Sequence, residues 1–150
     1  MARVVIDHDF SAPRPAVFDH LAEHENLEPL FGARVVRVDR PNDEPRNGIG
    51  STRTLKLGPL PSFEETVTEY RQDELIRYTI AGGSIVASLI TGHEGIQSYT
   101  VIPTGGTHLH YEIGFGAKIP GLAGLLARVL QRKITAALPV VDASLMEHVA

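Results

Sequence analysis

The closing stretch of the chain, residues 119–147, limits the possible fold more than any other part: it reads IPGLAGLLARVLQRKITAALPVVDASLME. Leu122, Leu126, Val129, Leu130, Ile134, Leu138, Val141 and Leu145 recur at steps of three and four, which places apolar side chains along one stripe of a helix. Pro120 suits a first helical turn. Arg128, Arg132 and Lys133 fall between the apolar positions and read as the solvated face of the helix rather than as a phosphate or membrane patch. Such a helix runs about 40 Å at roughly 1.5 Å per residue, far enough to cross a small domain. A stripe of that length must be covered, so the rest of the chain has to supply a broad apolar surface. Pro139 has no N–H and its ring crowds the carbonyl of Thr135, which predicts a bend inside one helix and not two separate helices.

The remaining residues supply that surface as strands. Residues 2–9 alternate and are rich in Val and Ile, the pattern of a half-buried strand. The period then changes. Ser11 offers a cap, Pro13 and Pro15 follow, and Val17, Phe18 and Leu21 stand at helical spacing. Residues 23–31 predict a second short helix, ended by Gly32 in the position a left-handed cap requires. Residues 33–39 form a strand, and residues 40–50 a loop dense in Pro, Asn, Asp and Gly. Further strands are expected at 51–57, 63–70, 75–81, 92–102 and 107–115, joined by turn-forming segments such as 71–74 and 103–106. Strand, two helices, six strands and a long helix exclude a doubly wound fold, which would alternate strands with helices. The order predicts an α+β protein in which an antiparallel sheet curls around the last helix, residues 1–150 forming one domain.

Composition narrows the chemistry. At 150 residues a chain buries roughly 70% of the surface exposed when unfolded, enough for a core without metal or crosslinks. The absence of cysteine removes disulfides, thiolate metal sites and cysteine nucleophiles. No apolar run reaches the length of a membrane span, and the N-terminus is too short and charged for a signal peptide, so a cytoplasmic protein is expected. A net charge of −4 gives no general attraction to nucleic acid or anionic lipid. The oligomeric state is not fixed by any of these features.

If the apolar line of each strand faces inward, Leu109, Tyr111, Ile113 and Phe115 belong to the interior, while His108, His110 and Glu112 belong to the opposite face. By the same rule Leu55 and Leu57 carry Arg53 inward, Phe63 and Val67 carry Glu65 and Glu69, and Ile76 and Ile80 carry Tyr78. Tyr99 is assigned to the interior in a strand whose two lines are both mixed. A buried charge needs a partner, and Arg53 with Glu65 on adjacent strands is the expected pair. That pair is either structural or the polar anchor of an otherwise apolar ligand.

The run Ser11-Ala12-Pro13-Arg14-Pro15-Ala16-Val17-Phe18, followed by Arg53-Thr54-Leu55, Phe63-Glu64-Glu65-Thr66-Val67, Tyr78-Thr79-Ile80, Gly105-Gly106-Thr107-His108-Leu109-His110-Tyr111 and the terminal helix, resembles the START-like (SRPBCC) superfamily. Within it the match is to the branch named for polyketide cyclases, dehydrases and lipid-transport proteins. The resemblance covers nearly the whole chain and implies a helix-grip fold, with a curved seven-stranded antiparallel sheet around a C-terminal helix and a ligand cavity between them. It implies a small hydrophobic ligand without identifying one, because the family hosts binders and enzymes alike. Gly58-Pro59-Leu60-Pro61 is similar to the gate loop of plant hormone receptors in the superfamily, although it also reads as an ordinary Pro-rich turn. The apolar connection at 82–91 is either a second lid or an extension of its flanking strands.

The expected function is binding of a lipid, isoprenoid or polyketide-like molecule between sheet and helix. Arg53, Phe63, Glu65, Tyr78, Tyr99, Tyr111, Phe115, Leu122, Leu126, Val129 and Leu130 are the expected ligand-binding residues. The alternatives are a cyclase or dehydratase acting in the same cavity, and a protein–protein module with a collapsed cavity. For catalysis the interior acid or base would come from Glu65, Glu69, His93 or the three tyrosines. Glu64 and Glu65 point to opposite faces and cannot work as a pair. His108, His110 and Glu112 have spacing that can chelate zinc, but on the face away from the apolar line, so no metal is assigned. No cofactor is implied.

Overall fold

The computed structural model describes residues 1–39 and 45–149; part of the loop expected at 40–50 lies outside them. The strands are β1 (Ala2–Phe10), β2 (Arg34–Val38), β3 (Thr52–Lys56), β4 (Phe63–Arg71), β5 (Leu75–Ile80), β6 (Ile90–Val101) and β7 (Thr107–Ala117). They form one antiparallel sheet in the order β1-β7-β6-β5-β4-β3-β2. From β2 to β7 each strand pairs with the next in sequence. Only β1 breaks that order, lying beside β7 at the edge opposite β2. The connection from β1 to β2 must therefore reach from one edge of the sheet to the other. It holds α1 (Arg14–Ala22), a 3-10 turn (His24–Leu27) and α2 (Glu28–Phe31). A short α3 (Ile85–Leu89) precedes β6, and α4 (Leu122–Val149) ends the described chain. The architecture is α+β with the helix-grip order read from the sequence.

Two local expectations are corrected. Ser11 does not cap α1: the helix starts after Pro13 without a side-chain cap. The Ser11 N–H instead donates to the Asp142 carboxylate of α4 at 2.9 Å. Residues 23–31 do not form one helix but a 3-10 turn followed by α2. Pro29 explains the break, since a residue with no N–H is tolerated in a first turn but not in a helix interior. Gly32 does close α2 in the left-handed region at φ 60°, its N–H bonded to the Glu28 carbonyl at 2.9 Å. The long helix continues through Pro139 as a single element.

The α4 helix packs mainly on β1, and also on α2, α1 and β7. Ala127, Ile134, Leu138 and Val141 are its buried residues, with Leu126, Leu130 and Leu145 half-buried beside them. Full burial of Ile134 and Leu138 contributes roughly 1.5–3 kcal/mol each. Arg128, Arg132 and Lys133 are exposed. Because α4 leans on the β1 and β7 side, the ground above β3 to β5 is left for smaller elements to cover. No helix among the described residues is long and apolar enough to cross a membrane.

Both edges of the sheet are plugged by helix side chains. At β1 the Gln131 side chain accepts from the Val5 N–H (3.2 Å) and donates to the Val5 carbonyl (3.0 Å). At β2 the Glu28 carboxylate accepts from the Val35 N–H (2.9 Å) and Glu25 from the Arg37 N–H (3.2 Å). Unpaired edge groups invite another strand, and these contacts occupy some of them. Replacing Gln131→Ala is expected to raise the hydrogen-exchange rate of the Val5 amide and to cost about 1 kcal/mol in urea denaturation. Arg132→Ala, on the exposed face, should change neither.

Candidate functional site

Between the sheet and α4 lies a cavity of about 60 Å³. Its floor is the inner face of the sheet: Leu55 from β3, Phe63 and Glu65 from β4, Tyr78 and Ile80 from β5, His93 from β6, and Ile113 and Phe115 from β7. Leu126 and Leu130 of α4 and Phe31 of α2 cover it. The remaining cover comes from two connections, Leu57 and Leu60 around the β3–β4 turn and Val86 and Ile90 around α3. The connection at 82–91 thus divides: Ser84 caps α3 by accepting from the Ala87 N–H at 3.0 Å, and Ile90 already begins β6. In the other connection Lys56 donates to the Gly58 carbonyl at 2.8 Å and also to the Leu60 carbonyl, which pins the turn.

Two irregularities in the strands decide which side chains reach this space. In β6 the pairing with β7 shifts between Thr91 and Glu94, around Gly92 at φ 59°. A glycine in that conformation is the mark of a bulge that inserts one residue against its partner strand. It lets Ile90 and His93, three residues apart, face the same interior; in a regular strand they would point opposite ways. The second shift lies in β4 between Val67 and Glu69. Here it overturns an expectation: Glu69 does not point inward but pairs with Arg77 at 3.0 Å, in a group where Arg77 also meets the exposed Glu94 at 2.7 Å. Tyr70 turns inward in its place and meets Phe18 edge to face.

The polar interior is organised around Arg53, which opposes Glu65 in the strand register. Its Nε donates to Glu65 Oε1 at 2.9 Å, and both side chains are almost fully buried. The guanidinium also donates to His24 Nδ1 at 3.0 Å and lies 4.5 Å from the centre of the Tyr78 ring. A guanidinium can only donate, so His24 is neutral with its proton on Nε2. That Nε2 is buried with no hydrogen-bond partner among the described residues. The Tyr78 and Tyr111 hydroxyls bond to each other, and the Tyr99 hydroxyl donates to Gln97 at 2.9 Å. The Tyr78 ring lies across Gly95, its register partner on β6, where any Cβ would come within 2.2 Å of the ring. His93 Nδ1 accepts from the Ile80 N–H at 3.2 Å, so Nε2 carries its proton and stands 3.6 Å from Glu65 Oε2.

Of the residues expected to hold a ligand, Phe63, Glu65, Tyr78, Phe115, Leu126 and Leu130 line the cavity together. Arg53 does not; it stands behind Glu65. Tyr99 and Tyr111 face the interior but lie outside the cavity wall, their hydroxyls spent on Gln97 and Tyr78. Leu122 and Val129 are half-buried off the wall, because the apolar stripe of α4 is wider than the part over the cavity. His93 was legible only as one of several interior candidates, and the burial of His24 was not foreseen. The spacing of His24 carried no signal, since a 3-10 turn follows neither the helical nor the strand period. On the outer face His108 bonds Asp9 and Asp7, and His110 bonds Asp7 and Glu112. Those contacts occupy the ring nitrogens on which the zinc-like spacing rested.

These environments push histidine basicity in opposite directions. Burial, followed by the Arg53 charge, lowers the His24 pKa to about 3, and burial lowers that of His93. Both groups stay neutral in the fold at a pH where the unfolded chain protonates, so their share of stability is present above about pH 6.5 and falls with acid. Hydrogen bonds to Asp9 and Asp7 raise the pKa of His108, and those to Asp7 and Glu112 that of His110. Their share is present below about pH 6.5 and lost as pH rises. Tyr78 and Tyr99 are pushed well up by burial and remain protonated.

In chemical denaturation the protein should lose roughly 4 kcal/mol through His24 as pH falls from 6.5 to 3. His24→Asn, whose carbonyl still accepts from Arg53, should flatten that limb. Arg53→Met leaves the Glu65 carboxylate buried and unpaired, with an expected loss of about 3–5 kcal/mol. Joining it to Glu65→Leu should recover most of that loss, and a double-mutant cycle measures the coupling.

No functionally curated protein matches the chain in sequence. Among solved structures the fold is similar to the ZhuI aromatase/cyclase from a Streptomyces species, with TM-score 0.74 and 16% identity over 99% of this chain and 96% of that one. A START superfamily protein from Mycobacterium smegmatis gives TM-score 0.72 and 13% identity over 97% of each chain. A Thermus thermophilus protein gives 0.71 and 16% over 99% of this chain and 100% of its own. Identities this low speak to fold alone. The sequence itself matches one family model over residues 1–142, and by that match the chain belongs to the polyketide cyclase / dehydrase and lipid transport family.

Proposed function

We propose that the protein binds a small hydrophobic molecule, of lipid, isoprenoid or polyketide-like type, in the cavity between the sheet and α4. The observation that carries this reading is the wall itself: an apolar pocket whose polar residues are Glu65, His93 and Tyr78, the last with its hydroxyl tied to Tyr111, in a chain of this family. Phe63, Tyr78, Phe115, Leu126 and Leu130 hold the apolar body. Arg53 acts through Glu65, keeping a carboxylate in place where water is scarce. The chain works as one ligand-binding domain, and its expected setting is the cytoplasm.

The cavity holds about 60 Å³, against roughly 300–1,000 Å³ for pockets that enclose drug-sized ligands. Binding therefore requires the cover to move. The two candidates are the β3–β4 turn that carries Leu60, which would have to release the Lys56 contacts, and the α3 segment that carries Val86, because both lie between strands and outside the ladder. A second reading, catalysis of cyclase or dehydratase type, is favoured by one observation. Glu65 and His93 present an acceptor and a donor 3.6 Å apart at the same wall, the arrangement needed to remove one proton and supply another.

The first reading is tested with the fluorescent apolar probe N-phenyl-1-naphthylamine. Micromolar binding is expected, weakened at least tenfold in Leu126→Trp, which fills the cavity from α4. A native circular dichroism spectrum of that variant separates blocking from unfolding. If Leu126→Trp binds the probe as the unmodified protein does, the probe sits elsewhere and the reading falls.

A further inference from the structure

We propose that the cavity selects ligands whose polar end is a neutral hydroxyl, held jointly by the Glu65 carboxylate and the His93 ring. This rests on the hydrophobic-ligand reading above and adds the chemistry of the head group.

The inference comes from two groups that face the same space without satisfying each other. Glu65 Oε1 is occupied by Arg53, whereas no described residue donates a hydrogen bond to Oε2. His93 Nδ1 is occupied by the Ile80 N–H, which fixes the proton on Nε2. The distance of 3.6 Å between Nε2 and Oε2 is too long for a good hydrogen bond. Each is nevertheless in the cavity wall, surrounded by apolar side chains. Side-chain exposure is 10% for His93 and 6% for Glu65, so both groups open only onto the cavity, and a ligand that displaces water there does best when it satisfies both at once. A hydroxyl oxygen placed about 2.8 Å from each atom does so, accepting from the imidazole N–H and donating to the carboxylate.

Other head groups fit less well, each for a stated reason. A hydrocarbon leaves both groups unpaired. A ketone accepts from His93 but offers Glu65 no donor. A carboxylate brings a second negative charge against Glu65 in a low-dielectric space. An ammonium group suits Glu65 but has no lone pair for His93. The donor role of His93 is stable near neutrality, since burial keeps the ring neutral. The site should thus read a hydroxyl against its analogue lacking one, because a site with buried polar groups rejects the analogue that cannot pair them.

The test is a matched series small enough for a narrow cavity: 4-ethylphenol, ethylbenzene and 4-ethylbenzoate. Each is titrated into the protein and into His93→Phe, with amide chemical shifts reporting both affinity and location. In the unmodified protein 4-ethylphenol should bind about tenfold tighter than ethylbenzene, with 4-ethylbenzoate weakest. In His93→Phe the preference for the phenol should shrink to threefold or less while ethylbenzene still binds. His93→Gln keeps a side-chain donor and should retain part of the preference, which serves if the phenylalanine variant does not fold. Equal binding of phenol and hydrocarbon, tightest binding of the benzoate, or a preference untouched by His93→Phe would each overturn hydroxyl selection while leaving the cavity reading intact. If none of the three perturbs residues of the cavity wall, the cavity reading itself fails, and this inference with it.

Discussion

The interior depends on one guanidinium. Arg53 holds Glu65 from the adjacent strand, His24 from the 3-10 turn and the face of the Tyr78 ring. Those contacts tie the segment bridging β1 and β2 to the middle of the sheet. Two charges out of water are not a net source of stability by themselves, because desolvation opposes their attraction. What the pair supplies is arrangement: with Arg53 in place, a carboxylate can stand at the wall of an apolar space, and a histidine can be buried neutral beside it. Each of those groups would be unpaired without the cation.

The second constraint is topological. Putting β1 at the edge opposite β2 requires a long connection, and that connection becomes the helical bracket that closes the cavity with Phe31. The α4 helix grips the β1 side through its apolar face and through Gln131 and Asp142. Its weight at that side leaves the space over β3 to β5 roofed by Leu126, Leu130 and Phe31 together with a turn and a five-residue helix. A firmly packed half and a lightly covered half are therefore parts of one design, and the cavity lies where the packing changes character.

Much of this was legible in the sequence for physical reasons that can be named. The i, i+3, i+4 stripe of the last helix and the alternation of β7 are strong periodic signals, and the interior residues Leu109 to Phe115 were read from alternation alone. The buried Arg53–Glu65 pair followed from charges on inward lines of neighbouring strands. Failures came where period is lost. The irregularity after Val67 moved Glu69 to the outer face, and the 3-10 turn hid His24. Alternation also cannot distinguish an inward tyrosine at the cavity wall, Tyr78, from inward tyrosines packed beyond it, Tyr99 and Tyr111. Nor does any pattern of residues report how much room is left when side chains meet.

The bulge at Gly92 has a consequence for how relatives of this chain can vary. With Gly92 present, Thr91 points outward while Ile90 and His93 point inward. Remove the residue altogether and an ordinary alternating strand gives the same three directions, with Thr91 opposite Gly116 and His93 opposite Phe115. Replace it with a larger residue and the left-handed backbone at φ 59° becomes strained. At this position a shorter chain is thus a gentler change than a different one, and length rather than residue identity is the variable along which such a wall can drift.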